Sequence, residues 1–242
     1  NVMSNSDSIF PHGDVEEIGD NIFMLRGSIK MNAIVRISRN MAIVRNGSEL
    51  SLINPVRMNE KGEKQLEALG KVANIIRLGP FHGMDDSYYV EKYGAHMWAQ
   101  EGGLAYTEPP INTVMTAATE LPFTEAEIFE FNGLKQPECA LLLKANGGLL
   151  LTCDSIQNYG NYSYNNIPAR IFMPFMGFPK TTLVGPIWLK MLTPEGGNLE
   201  SEFRRLLQLD FDRLLSSHGT LLDHGAHSAV ERAISKAFAK KN

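Results

Sequence analysis

The sequence predicts an α/β domain, on three observations: hairpin-spaced short strands in the first half, a helix-then-strand alternation in the middle, and a second strand set before a closing helix. Residues 21–26, 33–37, 41–44 and 49–53 are short β-prone runs parted by Gly27-Ser28, Arg39-Asn40 and Asn46-Gly47-Ser48. Residues 60–69 set Leu66 and Leu69 on one helical face ahead of Gly70, and an apolar strand over 72–78 follows. A helix over 85–93, opened by an acidic cap and ended before Gly94, leads to a strand over 95–98. The second strand set covers 128–131, 139–144 and 149–153. Residues 155–186, rich in Asn, Tyr, Phe and Pro, show no period, and a stretch of that length inside a compact domain acts as a lid or a contact surface. A helix over 199–209, a strand over 211–215, a His-Gly loop and a helix over 226–239 complete the chain. No repeat or linker divides it, so one domain over 1–242 is expected.

Composition narrows the function classes. A chain of 242 residues with 43% hydrophobic and 21% charged side chains buries a substantial core. The net charge of -4, with no long basic stripe, argues against a nucleic-acid partner. Its apolar runs are far shorter than the ~20 residues that cross a bilayer, so no membrane partner is expected. Residues 1–14 are polar and lack the apolar centre of a signal peptide, which makes a cytoplasmic location the expectation. Cys139 and Cys153 flank a hairpin turning at Asn146-Gly147-Gly148, where the loop length decides whether they stand opposite each other. Two buried free thiols are expected, with a disulfide still open on spacing.

The histidines carry the chemistry. A hydrolytic metal site needs imidazoles and carboxylates converging from different strand ends with one position open to water. His82 follows the strand over 72–78, Asp154 follows the strand over 149–153, and His218 follows the strand over 211–215. Asp85 and Asp86 also suit the cap of the helix that begins there, a structural role that competes with metal ligation. No nucleophile-elbow serine, phosphate-binding glycine loop or cysteine-rich zinc knuckle is present.

The order of elements and several short motifs resemble the metallo-β-lactamase superfamily, over most of the chain. The opening Gly19-Asp20-Asn21-Ile22-Phe23, then Asn32-Ala33-Ile34-Val35 and Leu50-Ser51-Leu52-Ile53-Asn54, is similar to its first strands, with Asn54 where the family tends to carry Asp. The family's His-x-His-x-Asp-His motif matches His82-Gly83-Met84-Asp85-Asp86-Ser87, in which the first His and the Asp remain. A second register, with His82 as the second His and Asp85 at the last position, also fits. Leu151-Thr152-Cys153-Asp154 resembles the strand whose Asp can bridge two metals, and Ser217-His218-Gly219 resembles the late His-Gly. The family's Gly-His turn has no counterpart in Gly133-Leu134-Lys135-Gln136-Pro137.

The resemblance implies an αββα sandwich and a metal-dependent hydrolase of open substrate, with one divalent ion, zinc or iron, held by His82, Asp86, Asp154 and His218, Asp86 also serving catalysis. A small-molecule substrate is the implied partner. The competing expectation is a non-catalytic descendant that binds a ligand or forms a homodimer, supported by Met84, Ser87, Asn54 and the missing His near Lys135. Residues 155–186 are expected beside the mouth of the site, with Tyr159, Tyr162, Tyr164 and Phe175 ordered and some facing His82 or His218.

Overall fold

The computed structural model describes residues 9–240; the first eight residues of the polar opening lie outside them. Its elements run β1 (Glu16–Gly19), β2 (Ile22–Lys30), β3 (Arg36–Asn46), β4 (Glu49–Ile53), α1 (Glu60–Leu69), β5 (Lys71–Ile76), α2 (Asp86–Tyr93), β6 (His96–Ala99) and β7 (Thr113–Val114). The second half comprises β8 (Ala126–Glu130), β9 (Cys139–Leu143), β10 (Leu149–Thr152), β11 (Ile156–Asn158), α3 (Ile167–Phe172), β12 (Thr182–Val184), α4 (Pro186–Leu192), α5 (Glu200–Leu206), β13 (Arg213–Ser216) and α6 (Ala226–Ala237).

The first seven strands form one sheet in sequence order, antiparallel from β1 to β4 and parallel from β4 to β7. The second sheet has the order β13-β10-β9-β8, with β10 and β13 parallel. Alternation along the strands explains how they stack. In β2, Ile22 and Met24 join a core that also holds Leu141, Leu151 and Leu215 of the second sheet, so this core lies between the two sheets. Phe23 and Leu25 point the other way, packing with Leu66 of α1 and Tyr89 of α2. In the second sheet Leu142, Leu150 and Leu214 turn outward onto Trp188 of α4, Phe203 of α5 and Val230 of α6. Helices, sheet, sheet and helices thus make four layers, the expected αββα sandwich. Because both faces of β9 and β10 are covered, Cys139–Leu143 and the first three residues of Leu149–Thr152 are apolar throughout instead of alternating.

Several elements differ from the sequence expectation. Residues 33–37 and 41–44 are not two strands: β3 runs unbroken through Arg39-Asn40, which are buried. Arg39 pairs with Asp85, and Asn40 donates from Nδ2 to the carbonyls of Ser216 and Gly219, so polar residues that resembled a turn are satisfied inside the molecule. β2 likewise continues through Gly27-Ser28; a Cβ on Gly27 would press on His12 and Val56 at 3.2 Å, so the glycine sits at a crowded point of the strand, not in a turn. Residues 155–186 are not irregular, since they hold β11, α3 and β12, with β11 and β12 pairing as a two-stranded ribbon. α4 follows that segment directly and was not foreseen. Both cysteines are free and buried. No helix among the described residues is long and apolar enough to cross a membrane.

Candidate metal centre

Strand pairing delivers two of the three central residues. β10 and β13 run parallel with Thr152 opposite Ser216, so Asp154 and His218, each two residues further on, leave the sheet side by side. His82 comes from the other sheet, in the loop after β5. A backbone bond from Cys139 N to Leu78 O at 2.9 Å holds that loop against the second sheet, and from the end of β4 the Asn54 side chain accepts from Leu78 N at 3.2 Å through Oδ1. Asn54 sits at φ 54°, a left-handed conformation that Asn tolerates better than most residues. It therefore positions the His82 loop from the place where the resembling family tends to carry Asp.

Both imidazoles converge on one carboxylate oxygen. Asp154 Oδ1 lies 2.9 Å from His82 Nε2 and 3.0 Å from His218 Nε2, and the two rings meet edge-on with centroids 4.9 Å apart. All three side chains are 10–14% exposed. His218 Nδ1 is 2.6 Å from the carbonyl oxygen of Ser38, which can only accept, so Nδ1 carries a proton. Ser217 Oγ stands 3.4 Å from His82 Nε2.

The charges follow from these contacts. Burial pushes the Asp154 carboxyl up, but the two histidines overcome it and hold the group well below the usual carboxylate range. Burial lowers His82 more than Asp154 raises it, which leaves that ring neutral at pH 7. Burial also works against His218, yet the bond to Asp154 and the Ser38 carbonyl raise it above its ordinary value. Both nitrogens of His218 thus face acceptors, the Ser38 carbonyl and the Asp154 carboxylate.

Three donors, two imidazole nitrogens and one carboxylate oxygen, lie within 4.8 Å of one another. That mixed set suits zinc or iron, and three protein ligands leave a further position for water or substrate. The residues present fit one such ion.

Asp86, the fourth residue expected from the sequence, is not in this group. Its Oδ2 accepts from Arg77 Nε at 2.7 Å at the start of α2, while Oδ1 has no hydrogen-bond partner. Arg77 stands nine residues earlier in β5's exit, out of sight of any local motif. Asp85 gives no side-chain cap to α2 and instead binds Arg39 Nη2 at 2.6 Å and Arg57 N at 2.8 Å. Met84 is largely exposed and offers the cluster nothing.

Burial pushes the Asp86 carboxyl up to about 6, against the pull of Arg77, which engages only one of its oxygens. Its folded pKa thus lies above the ordinary 3.8, so the folded chain keeps a proton that the unfolded chain has released. This contribution is complete below about pH 4 and is lost as pH rises through about 6. Relative to Asp86→Asn, the native chain should lose roughly 3 kcal/mol between those limits. Urea unfolding of both proteins across that range checks it; parallel curves would contradict the assignment.

Glu138 was missed from sequence. It lies fully buried next to Asp154 and Cys153, where burial and the Asp154 charge push it up to about 8, leaving it neutral at pH 7. Its Oε2 accepts from Ser155 N at 2.9 Å. A Cβ on Gly79 would come within 2.4 Å of Glu138 Oε1 and 2.7 Å of Cys153 Sγ, so only glycine lets the His82 loop pass this close. Burial raises the thiol of Cys153 as well, so two of the three donors in this second group, Glu138 and Cys153, keep their protons and suit a cation poorly. The one sequence signal is an acidic residue directly before the all-apolar β9.

Residues 155–186 adjoin the cluster. Gln157 Nε2 donates to the Asp154 carbonyl at 3.0 Å and Gln157 Oε1 accepts from the Tyr159 hydroxyl. Tyr159 packs beside Gly219, the neighbour of His218. Asn165 Oδ1 accepts from the N–H of Ser38, the residue whose carbonyl anchors His218. Tyr159 and Tyr162 are buried, and Tyr164 lies under the Arg26 guanidinium, whereas Phe175 stands in solvent at 86% exposure. The segment walls one side of the cluster.

Comparison with known proteins agrees with this architecture. No protein-family model and no curated protein sequence matches the chain. Solved structures do. The metallo-β-lactamase TMB-1 superposes with a TM-score of 0.66 at 12% identity, covering 95% of this chain and 99% of that one. A metallo-β-lactamase from Erythrobacter litoralis gives 0.59 at 16% identity over 95% and 94%. FIM-1 from Pseudomonas aeruginosa, described in a mono-zinc form, gives 0.65 at 11% identity over 96% and 99%. The chain has the metallo-β-lactamase fold.

Proposed function

We propose that the protein is a metal-dependent hydrolase with a reduced centre for a single zinc or iron ion, held by His82, Asp154 and His218. The observation that carries this reading is the convergence of the three donors from the ends of three strands in two sheets. The neighbouring folds support it, among them a metallo-β-lactamase described with one zinc. His82, Asp154 and His218 would hold the ion, which would supply Lewis-acid activation of water near neutral pH. The chain's own residues do the rest. The Ser38 carbonyl fixes the tautomer and orientation of His218, as outer partners of metal-binding imidazoles do. Ser217 Oγ, within 3.5 Å of both His82 and Asp154, offers a hydroxyl to a bound small-molecule substrate. The Tyr159 side of the wall excludes water from one flank.

A second reading has its own observation: the Asp154 oxygen already meets both His82 and His218, so the three side chains can satisfy one another as a closed hydrogen-bonded network. On that reading the chain is a non-catalytic binding module. Titration of metal-stripped protein with zinc and with iron(II) separates the two. Uptake of about one equivalent, with release of protons, is expected for the hydrolase. Uptake below roughly a tenth of an equivalent would sink it. Loaded protein is then tested on ester, thioester, phosphodiester and lactam probes.

A further inference from the structure

We infer that the protein docks on anionic phospholipid surfaces through the face formed by the β2–β3 hairpin tip and α3. The inference stands apart from the proposed metal chemistry, since it rests on other residues.

This face is apolar on its outer side. Met31 and Ile34 at the hairpin tip are 62% and 66% exposed, and Ile167, Ile171, Phe175 and Met176 on and after α3 are 72%, 56%, 86% and 62% exposed. These are side chains that ordinarily fill cores. The two elements form one surface. Asn166 Nδ2 donates to Ile34 O at 2.8 Å, and Asn166 N donates to Arg36 O at 3.0 Å. Arg36 N in turn donates to Asn166 Oδ1. Beneath them Val35 and Ile37 pack on Tyr159, Tyr162, Ala169 and Met173. The inner side is therefore already buried, and the outer apolar side chains serve no packing within this chain. A contiguous exposed apolar surface of this kind marks an interaction site.

The charge pattern names the partner. Residues 21–48 and 155–194 together hold eight Lys and Arg and no Asp or Glu, although Arg39 among the eight is buried against Asp85 and adds nothing to the face. Lys30, Arg170 and Lys180, flanking the apolar side chains, are exposed. Isoleucine, phenylalanine and methionine flanked by exposed cations, on segments that carry no Asp or Glu, suit insertion at the boundary of acyl chains and negative headgroups. A symmetric dimer through this face would set cations against cations. Nucleic acid would meet the charges but leave the apolar knob in water. The expectation of no membrane partner rested on span length alone, and surface docking needs no span.

Vesicle co-sedimentation tests the inference with full-length protein. Vesicles of equal parts phosphatidylcholine and phosphatidylglycerol should bring the protein down at low salt, with phosphatidylcholine alone binding at least ~10-fold more weakly. The pair Phe175→Ser and Met176→Ser, and separately the pair Arg170→Glu and Lys180→Glu, should each weaken anionic binding by at least ~10-fold. Lys61→Glu with Lys64→Glu on α1 should leave it unchanged. All these positions are exposed, and circular dichroism confirms that each variant keeps its fold. Equal binding to neutral and anionic vesicles, or an equal loss in the α1 control, would overturn the inference. So would a dimer that persists on dilution to micromolar protein, dissociates with Phe175→Asp and ignores vesicles, because the face would then be a self-contact.

Discussion

Arg39→Met is expected to lower stability by ~3–5 kcal/mol, because it leaves the Asp85 carboxylate buried without its cation. Both partners are nearly inaccessible, at 5% and 3%, and the 2.6 Å contact is their shared solution to burial. Asp85 Oδ2 also accepts from Arg57 N, so the orphaned charge would keep a single backbone donor. Urea unfolding followed by circular dichroism should show the midpoint falling at unchanged slope. The double variant Arg39→Met, Asp85→Leu should recover most of the loss, since replacing both members of a buried pair by apolar groups is often neutral. A loss below ~1 kcal/mol in the single variant would mean that water or another group reaches Asp85.

The second large effect concerns the donor cluster. His218→Ala should weaken zinc binding by at least ~100-fold, given that even outer partners of metal ligands are worth 10–100-fold. It removes one of three donors and the Nδ1 bond that ties β13's exit to Ser38. His82→Ala should act similarly, as the donor contributed by the other sheet. Asp86→Asn, by contrast, should leave zinc affinity within about threefold of the native value, because its carboxylate is committed to Arg77 and stands outside the donor group. Isothermal titration of the three variants in one buffer reads these differences. A large loss with Asp86→Asn would return that residue to the ligand set, and an unaffected His218→Ala would remove the centre altogether.

Much of this was legible in the chain, for physical reasons that can be named. The paired runs Cys139–Leu143 and Leu149–Thr152 announce themselves as strands because both their faces are covered. His82, Asp154 and His218 could be picked out because each follows such a run, and strand ends are where α/β folds gather chemistry. Asp86 drew attention through its place beside a histidine, while its partner Arg77 lies at a spacing no motif reports. Arg39-Asn40 resembled a turn because polar pairs usually face water. Their partners, Asp85 and the carbonyls of Ser216 and Gly219, are 46, 176 and 179 residues away. Glu138 was invisible for a related reason: a carboxyl kept neutral by its surroundings has the same letter as a charged one.

The course of β3 has a consequence for how the molecule is made. One edge of β3 pairs with β2 throughout, but the other pairs with β4 only over Ala42 to Asn46, and over Arg36 to Asn40 it meets Asn165, Asn166 and the turn at Ser217 to Gly219. The His218 anchor on Ser38 spans 180 positions. During synthesis, half of this strand must wait as an open edge until nearly the whole chain has emerged, and closing such distant contacts is slow. The histidine cluster is thus assembled among the last contacts of folding. A truncated or stalled chain would present instead an unpaired strand edge over Arg36 to Asn40, and open edges of this kind are templates for aggregation.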